Sequence, residues 1–158
     1  MPCEHVSVEH VSPIPETREE LAERLDAIGV RADTYSLGGG HPSESFVVDL
    51  RPEGWVVYYS ERGNETSPVT HQFEADACAD LYARVTRDDS VFFDLVAGPA
   101  PIGDADATFD GWLSVRGLTR VDLPHDAWKF HDISWDLGPP LRRYFVRILT
   151  IRDLDQAR

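Results

Sequence analysis

The chain has 158 residues, 42% of them apolar, and a formal net charge of −13. These values are ordinary for a globular protein with one sizeable core. The acidic balance argues against nucleic-acid binding, and it fits either a basic partner or a role in solubility alone. No apolar run approaches the ~18 residues that a membrane helix needs, so we expect no association with a membrane.

The two cysteines of the sequence, Cys3 and Cys78, form neither a CxxC motif nor the spacing of a zinc site. This usage favours a reducing compartment and predicts no bound metal or other cofactor. The segment Met1–His5 is polar and acidic, and it lacks the basic and apolar regions of a signal peptide. We therefore expect a cytoplasmic protein.

The N-terminal part predicts an arm followed by a short surface helix. Residues 1–15 end in a proline-rich stretch and are interpreted as the arm. Thr17 and Glu20 then form a T-x-x-E capping box. Apolar residues at helical spacing follow, with acidic residues between them, and Gly29 is a natural C-terminal cap. The pattern predicts a helix over 18–28 with one buried stripe.

A glycine-rich loop follows this helix. Residues 31–44 contain Gly38, Gly39 and Gly40 immediately before His41. Three glycines suggest a phosphate-binding loop, but no helix begins after them, no lysine follows, and the spacing is not G-x-G-x-x-G. We therefore interpret the segment as a mobile turn.

The next segments predict a β-meander and a second helix. Residues 54–63 hold the densest aromatic and β-branched run, bounded by glycines, and we expect them to form the central strand. A strand over 45–50 precedes it through a turn at 51–54, and a third strand over 69–73 follows. Helical spacing of apolar residues then predicts a helix over 74–87 that buries Cys78 as a small core residue. We expect that thiol to be unreactive.

The second half of the sequence has weaker patterns. Residues 91–96 suit a strand or a continuation of the preceding helix, because the run is short. The other predicted elements are a loop over 98–111, a strand over 112–116, an irregular stretch over 119–140, a strand over 144–151 and a frayed tail over 152–158. The irregular interpretation rests on the many Asp, Gly and Pro residues, which favour turns.

Together these elements predict one α+β domain over 1–158. In it, 16–88 forms a helix–meander–helix unit and the loop-rich 89–158 completes a mainly antiparallel sheet. Two helices cover one face of the sheet. Because both sides of the central strand are apolar, we expect the second half to cover the other face. The predicted core consists of Leu21, Leu25, Phe46, Val48, Val57, Tyr59, Leu81 and Val85.

Catalytic arrangements are incomplete. Four side chains of types that bind metals occur within one short segment, namely His125, Asp126, His131 and Asp132. The even spacing of the two histidines would place both on one face of a strand. The nearby proline argues against a regular strand, so an exposed loop is favoured. A small hydrolase or ligand-binding enzyme using these residues is the alternative hypothesis.

A nucleophile and base could also come from Ser60 and His71. However, Ser60 lies in no G-x-S-x-G motif, and the sequence has no other hydrolase signature. These two residues therefore do not predict a catalytic site.

Part of the sequence resembles a known group of proteins. The matching segments are Tyr35–Gly39, Trp55–Gly63, Phe73 and the pair Ala77 and Cys78. This string is similar to small cytoplasmic proteins of high-GC bacteria, some of which are encoded beside polymorphic toxins as immunity proteins. The resemblance covers residues 18–88, implies a protein-binding role, and carries no catalytic residue.

The function that these observations favour is binding to a protein. Residues 1–88 carry 7 basic and 17 acidic side chains, whereas residues 89–158 carry 8 and 11. An acidic first half would attract a basic toxin enzyme, and this protein would then block its active site. The predicted partner-binding residues are Glu61, Arg62, Glu65 and the loop from Gly38 to His41.

Overall fold

The computed structural model describes residues 14–157. Most of the predicted arm and Cys3 therefore lie outside the described residues. The helices are α1 Arg18–Ala27, α2 Glu74–Arg87, α3 Ile102–Val115 and α4 Ile148–Gln156. The strands are β1 Tyr35–Ser36, β2 Ser45–Arg51, β3 Gly54–Glu61, β4 Asn64–His71, β5 Phe93–Pro101, β6 Trp128–Ile133 and β7 Leu141–Arg147. The predicted α+β class is confirmed.

The strands form two sheets. The N-terminal sheet has the order β1-β2-β3-β4, in which β1 runs parallel to β2 and the other neighbours are antiparallel. The C-terminal sheet has the order β5-β7-β6 and is antiparallel throughout. The second half of the chain thus builds its own sheet instead of completing the first one.

The helix–meander–helix part follows its sequence pattern closely. Thr17 caps α1 by accepting a hydrogen bond from the backbone of Glu20, and α2 has the predicted bounds. Both helices pack on one face of the N-terminal sheet, where β2 and β3 present alternate side chains. The buried residues there are Leu21, Leu25, Val30, Val48, Val57, Ala77, Cys78, Leu81, Val85 and Val91. Of the predicted core, only Phe46 and Tyr59 are partly exposed, and their rings contact each other at 5.1 Å.

The second half is more regular than its composition predicts. A helix, α3, occupies most of the region interpreted as a loop over 98–111 and a strand over 112–116, and strand β5 extends to Pro101 in the first part of that region. Asp and Gly lower the helix propensity here, but Ala105, Phe109 and Leu113 recur at helical spacing and are all buried. Burial of this stripe against the C-terminal sheet outweighs local propensity.

Two further predictions in this half are corrected. The stretch interpreted as irregular, 119–140, contains strand β6, which begins four residues after Pro124. The predicted strand over 144–151 ends at Arg147, and α4 begins at Ile148 despite the β-branched residues there. Ile151 and Leu154 of α4 pack on the C-terminal core, so the predicted frayed tail is helical to Gln156.

The second half does not cover the other face of the N-terminal sheet. It buries its own core, formed by Ala97, Ala105, Phe109, Leu113, Leu123, Tyr144 and Val146. The halves meet instead at the end of α1. The backbone of Arg31 donates to the carbonyl of Val91 over 2.7 Å, and Arg152 binds the carboxylate of Asp26 at 2.9 Å. Residues 14–157 include no helix with both the length and the apolar character required to cross a membrane.

Candidate functional site

The N-terminal sheet separates the predicted partner-binding residues onto two faces. Glu65 lies opposite Ser60, on the face away from the helices. Glu61 lies opposite Asn64 at the tip of the β3–β4 hairpin, and alternation places its side chain on the helix-bearing face. Arg62 occupies the hairpin turn with a φ of 51° and is exposed. The predicted single contact patch is therefore two patches.

The first patch, which we call the Arg51 cluster, consists of His41, Asp49, Arg51, Tyr58 and Glu65. The Nε atom of Arg51 donates to Asp49 over 3.0 Å, and its two terminal nitrogens contact both carboxylate oxygens of Glu65. The imidazole of His41 lies 3.1 Å from Glu65, and the guanidinium of Arg51 lies 5.0 Å above the centre of the Tyr58 ring. Each charge in this cluster thus has a partner.

The glycine loop is fastened to this cluster. Gly40 accepts a hydrogen bond from the phenol of Tyr58 over 2.5 Å, and the backbone of Gly39 donates to Val48 over 3.0 Å. Gly39 has a φ of +76°, and a Cβ atom there would collide with the carboxylate of Asp49. The loop we interpreted as a mobile turn is held by these contacts, and only glycine fits at its closest approach to β2.

The electrostatics of the cluster follow from these contacts. The hydrogen bonds from Arg51, and secondarily the contact with His41, hold the pKa of Glu65 below its ordinary value of 4.5. The same bonds to Glu65 and Asp49 raise the pKa of Arg51 further. Burial raises the pKa of Tyr58. Glu65 and Arg51 therefore both carry their charges near neutral pH and form a fixed ion pair.

The second patch, which we call the acidic strand end, consists of Glu44, Glu61 and Asp88 around Tyr59. Burial raises the pKa of the Tyr59 phenol, and the negative charges of the three carboxylates raise it further. A cleft of about 330 Å³, lined by Phe46, Arg84, Arg87 and Asp88, opens beside it. Three carboxylates thus surround Tyr59 at the end of the central strand, while Arg84 and Arg87 line the cleft beside them.

The residues of the enzyme hypothesis do not converge. His131 and Asp132 are consecutive in β6, so their side chains lie on opposite faces of the C-terminal sheet. Asp132 binds Arg142 at 2.6 Å, whereas His131 contacts Arg143 at 3.2 Å. His125 lines a separate cleft of about 550 Å³. Residues 14–157 contain no group of three or more His, Cys, Asp or Glu side chains arranged to hold a metal ion.

Ser60 and His71 are also apart. Ser60 is fully buried, and its hydroxyl has no hydrogen-bond partner among the described residues. His71 contacts Asp80 of α2 at 2.8 Å. Cys78 is buried in the core, and burial raises the pKa of its thiol to about 11, which keeps the thiol protonated and unreactive.

Sequence analysis missed Asp49, Arg51 and Tyr58 as parts of the first patch. Asp49 and Arg51 alternate along β2, which signals a shared face, but the sequence does not show that this face meets Glu65. It also missed a network in the second half. There the buried phenol of Tyr144 donates to Asp106 and accepts from Arg120 over 3.0 Å. Aromatic rings surround this network, so we regard it as part of the core.

Comparison with protein-family models, with curated proteins and with solved structures gave no significant match. The functional argument therefore rests on the geometry of the two patches.

Proposed function

We propose that this protein is an immunity protein that acts in the cytoplasm by binding a toxin enzyme and covering its active site. The observation that carries the proposal is the acidic strand end. Glu44 and Glu61 are exposed, and within residues 14–157 neither has an ion-pair partner. Unpaired carboxylates on a rigid strand end attract a basic surface, as the substrate site of a nucleic-acid-cleaving toxin would be.

The Arg51 cluster supports the same role in a different way. It fixes the glycine loop, and it leaves His41 half exposed at 49%. A loop that is already ordered loses little conformational entropy on binding, which favours affinity. The resemblance of residues 18–88 to immunity proteins is consistent with this role, although it is limited to a short string of residues.

A charge-reversal experiment tests the proposal. The probe is the product of the gene next to this one, and the assay measures association and dissociation rates across a salt series. We expect Glu44→Lys with Glu61→Lys to slow association, because these side chains steer the partner from the rim. The effect should fade as the Debye length falls from ~10 Å at 0.1 M salt to ~3 Å at 1 M.

The experiment reverses Glu44 and Glu61 and leaves Glu65 unchanged. Reversing Glu65 would break the Arg51 cluster, so an effect on folding could not be separated from an effect on binding. The matched control is Asp136→Lys with Asp153→Lys, which makes the same change in net charge at exposed positions of the second half. Equal slowing in both double variants, or association that ignores salt, would show that the acidity serves only solubility. Failure to protect cells from the neighbouring gene's product would refute the immunity function itself.

A further inference from the structure

One face of the C-terminal sheet is covered by no helix of residues 14–157. Tyr144 and Val146 of β7 point to α3 and are buried, so Arg143, Phe145 and Arg147 point to the opposite face. The register brings further residues onto this open face. Lys129 and Leu95 lie opposite Phe145, His131 lies opposite Arg143, and Phe93 lies opposite Arg147. The result is a basic and aromatic surface on a strongly acidic protein.

Two cations on this face have no carboxylate partner within residues 14–157. In that part of the chain, Arg143 contacts the imidazole of His131, at 3.2 Å, and the Phe145 ring, at 5.8 Å. Arg147 contacts the backbone carbonyl of Asp126 at 3.4 Å and the ring of Phe93 at 4.7 Å. The chain has 28 acidic and 15 basic side chains, so most arginines could form an ion pair with a carboxylate. Because Arg143 and Arg147 form none within residues 14–157, their positive charges are available to a ligand.

The remaining charges do not cancel this excess. Lys129 lies 3.3 Å from Asp89, and Arg31 lies 2.6 Å from Asp33. Both carboxylates are largely exposed, at 72% and 75%, so solvent screens these pairs strongly. Four cations therefore face two carboxylates. Arg31 comes from the first half of the chain and is fixed by its hydrogen bond to the carbonyl of Phe93 over 2.8 Å.

The hydrogen bonding of Arg143 is a second, independent indication that this face can bind an anion. Its Nε atom is shielded from solvent and has no hydrogen-bond partner within the described residues. An unsatisfied buried donor on a charged group is costly, so the contacts within residues 14–157 leave the Arg143 guanidinium incompletely satisfied. The contact with His131 uses Nδ1 as the acceptor, because arginine can only donate. His131 then has its other nitrogen, Nε2, as a donor.

These groups surround a cleft of about 400 Å³, which is the size of a small-molecule site. Its lining consists of Arg31, Ser90, Phe93, Lys129, Phe130, His131, Arg143 and Phe145. Arginine and lysine side chains supply donors for an anion, and arginine binds phosphate in a bidentate manner. Phe145 is partly exposed and lies on the same face as Arg143 and Lys129, so its ring is available to a flat ligand group.

We propose that this cleft binds a small phosphate monoester that carries an aromatic ring, of which a nucleoside monophosphate is the representative. The phosphate contacts Arg143 and Lys129, and the ring packs against Phe145. This inference does not depend on the proposed toxin-binding function, because it uses Arg143, Lys129 and Phe145 of the C-terminal sheet.

Calorimetric titration of the full-length protein tests the inference. The probes are adenosine monophosphate, inorganic phosphate and adenosine, each at low salt. We expect adenosine monophosphate to bind with a Kd below about 1 mM, and phosphate and adenosine each to bind at least about tenfold more weakly. Absence of binding by adenosine monophosphate overturns the proposal. Equal affinity for phosphate also overturns it, because the aromatic walls would then contribute nothing.

Variants locate the site. Arg143→Ala should weaken binding of adenosine monophosphate at least about tenfold, and Arg143→Lys should restore only part of it, because lysine keeps the charge without the planar fork. The matched control is Arg87→Ala, since Arg87 also has no ion-pair partner within residues 14–157 but lies on α2. Thermal melting checks that each variant is folded. Equal losses in Arg143→Ala and Arg87→Ala would show non-specific attraction and refute the site.

Discussion

The outer face of the N-terminal sheet and the open face of the C-terminal sheet are made from similar side chains, with opposite results. Each presents an arginine close to an aromatic ring of the neighbouring strand, Arg51 at Tyr58 and Arg147 at Phe93. On the first face, Arg51 binds Asp49 and Glu65, and this paired cluster holds the glycine loop. On the second, Arg143 and Arg147 form no ion pair with a carboxylate of residues 14–157. The comparison teaches that the pairing of charges, more than their number, separates a structural surface from a binding surface.

Removing Arg51 should have the largest effect on stability. Arg51→Ala leaves the partly buried carboxylates of Asp49 and Glu65 without their partner, so we expect the free energy of unfolding to fall by about 2 kcal/mol. Arg143→Ala removes no ion pair and should change it by less than about 1 kcal/mol. Denaturant unfolding of both variants measures the difference. Equal losses would mean that pairing does not distinguish the two faces.

The glycine loop gives a closely matched second test. Gly39→Ala forces a side chain into a backbone with φ of +76° and against Asp49, whereas Gly40→Ala has φ of +86° but meets open space. We expect Gly40→Ala to cost about 1 kcal/mol from backbone strain alone, and Gly39→Ala to cost roughly 1 kcal/mol more. Thermal unfolding measures both. Identical shifts in Tm would indicate that the loop is not held close to β2.

The sequence predicts the first half of the fold well because local signals and burial agree there. The capping box at Thr17, the turn at 51–54 and the apolar stripe of α2 each specify the observed element. In the second half these signals conflict. Gly103 and Gly111 disfavour a helix, yet Phe109 and Leu113 must be buried on one side, and tertiary packing decides the outcome.

The candidate site was predictable only in part. Glu65 and His41 were both named as candidate contact residues, and their side chains lie 3.1 Å apart. Their link through Arg51 depends on the register of three strands, which no local pattern encodes. The open basic face of the C-terminal sheet was not predicted from the sequence, for a related reason. Lys129 and Arg143 belong to the neighbouring strands β6 and β7, and β6 was expected to be irregular.

The pH dependence of stability provides a smaller test of the same pairing. Because contacts with Arg51 and His41 lower the pKa of Glu65 in the folded protein, its ionised form stabilises the native state above the unfolded pKa. This contribution is lost as the pH falls through the folded pKa. Wild type should therefore lose stability below about pH 4.5, and Glu65→Gln should show a shallower slope, by at most about one proton.

The control for this titration is Glu61→Gln. It removes an exposed carboxylate that has no ion-pair partner in the described part of the chain. Unfolding by denaturant at a series of pH values gives the slope of each variant. If Glu61→Gln flattens the slope as much as Glu65→Gln does, the contact between Arg51 and Glu65 is not what shifts the titration.

The smallest expected effect concerns two serines that face each other across β2 and β3. Ser45 and Ser60 are direct cross-strand partners and are both buried, at 1% and 0% exposure. The hydroxyl of Ser45 donates to the carbonyl of Asp33 over 2.9 Å, whereas that of Ser60 has no partner within the described residues. Ser45→Ala should therefore cost about 1 kcal/mol, because it leaves a carbonyl unsatisfied.

Ser60→Ala differs because it removes a hydroxyl that is already unsatisfied. The desolvation cost of that group disappears, and the loss of one small atom from the packing offsets it, so stability should change by less than about 0.5 kcal/mol in either direction. The two variants delete the same atom from adjacent positions with nearly equal burial. A difference between their unfolding free energies thus isolates the hydrogen bond. If Ser60→Ala costs as much as Ser45→Ala, the hydroxyl of Ser60 makes a bond that stabilises the outer face.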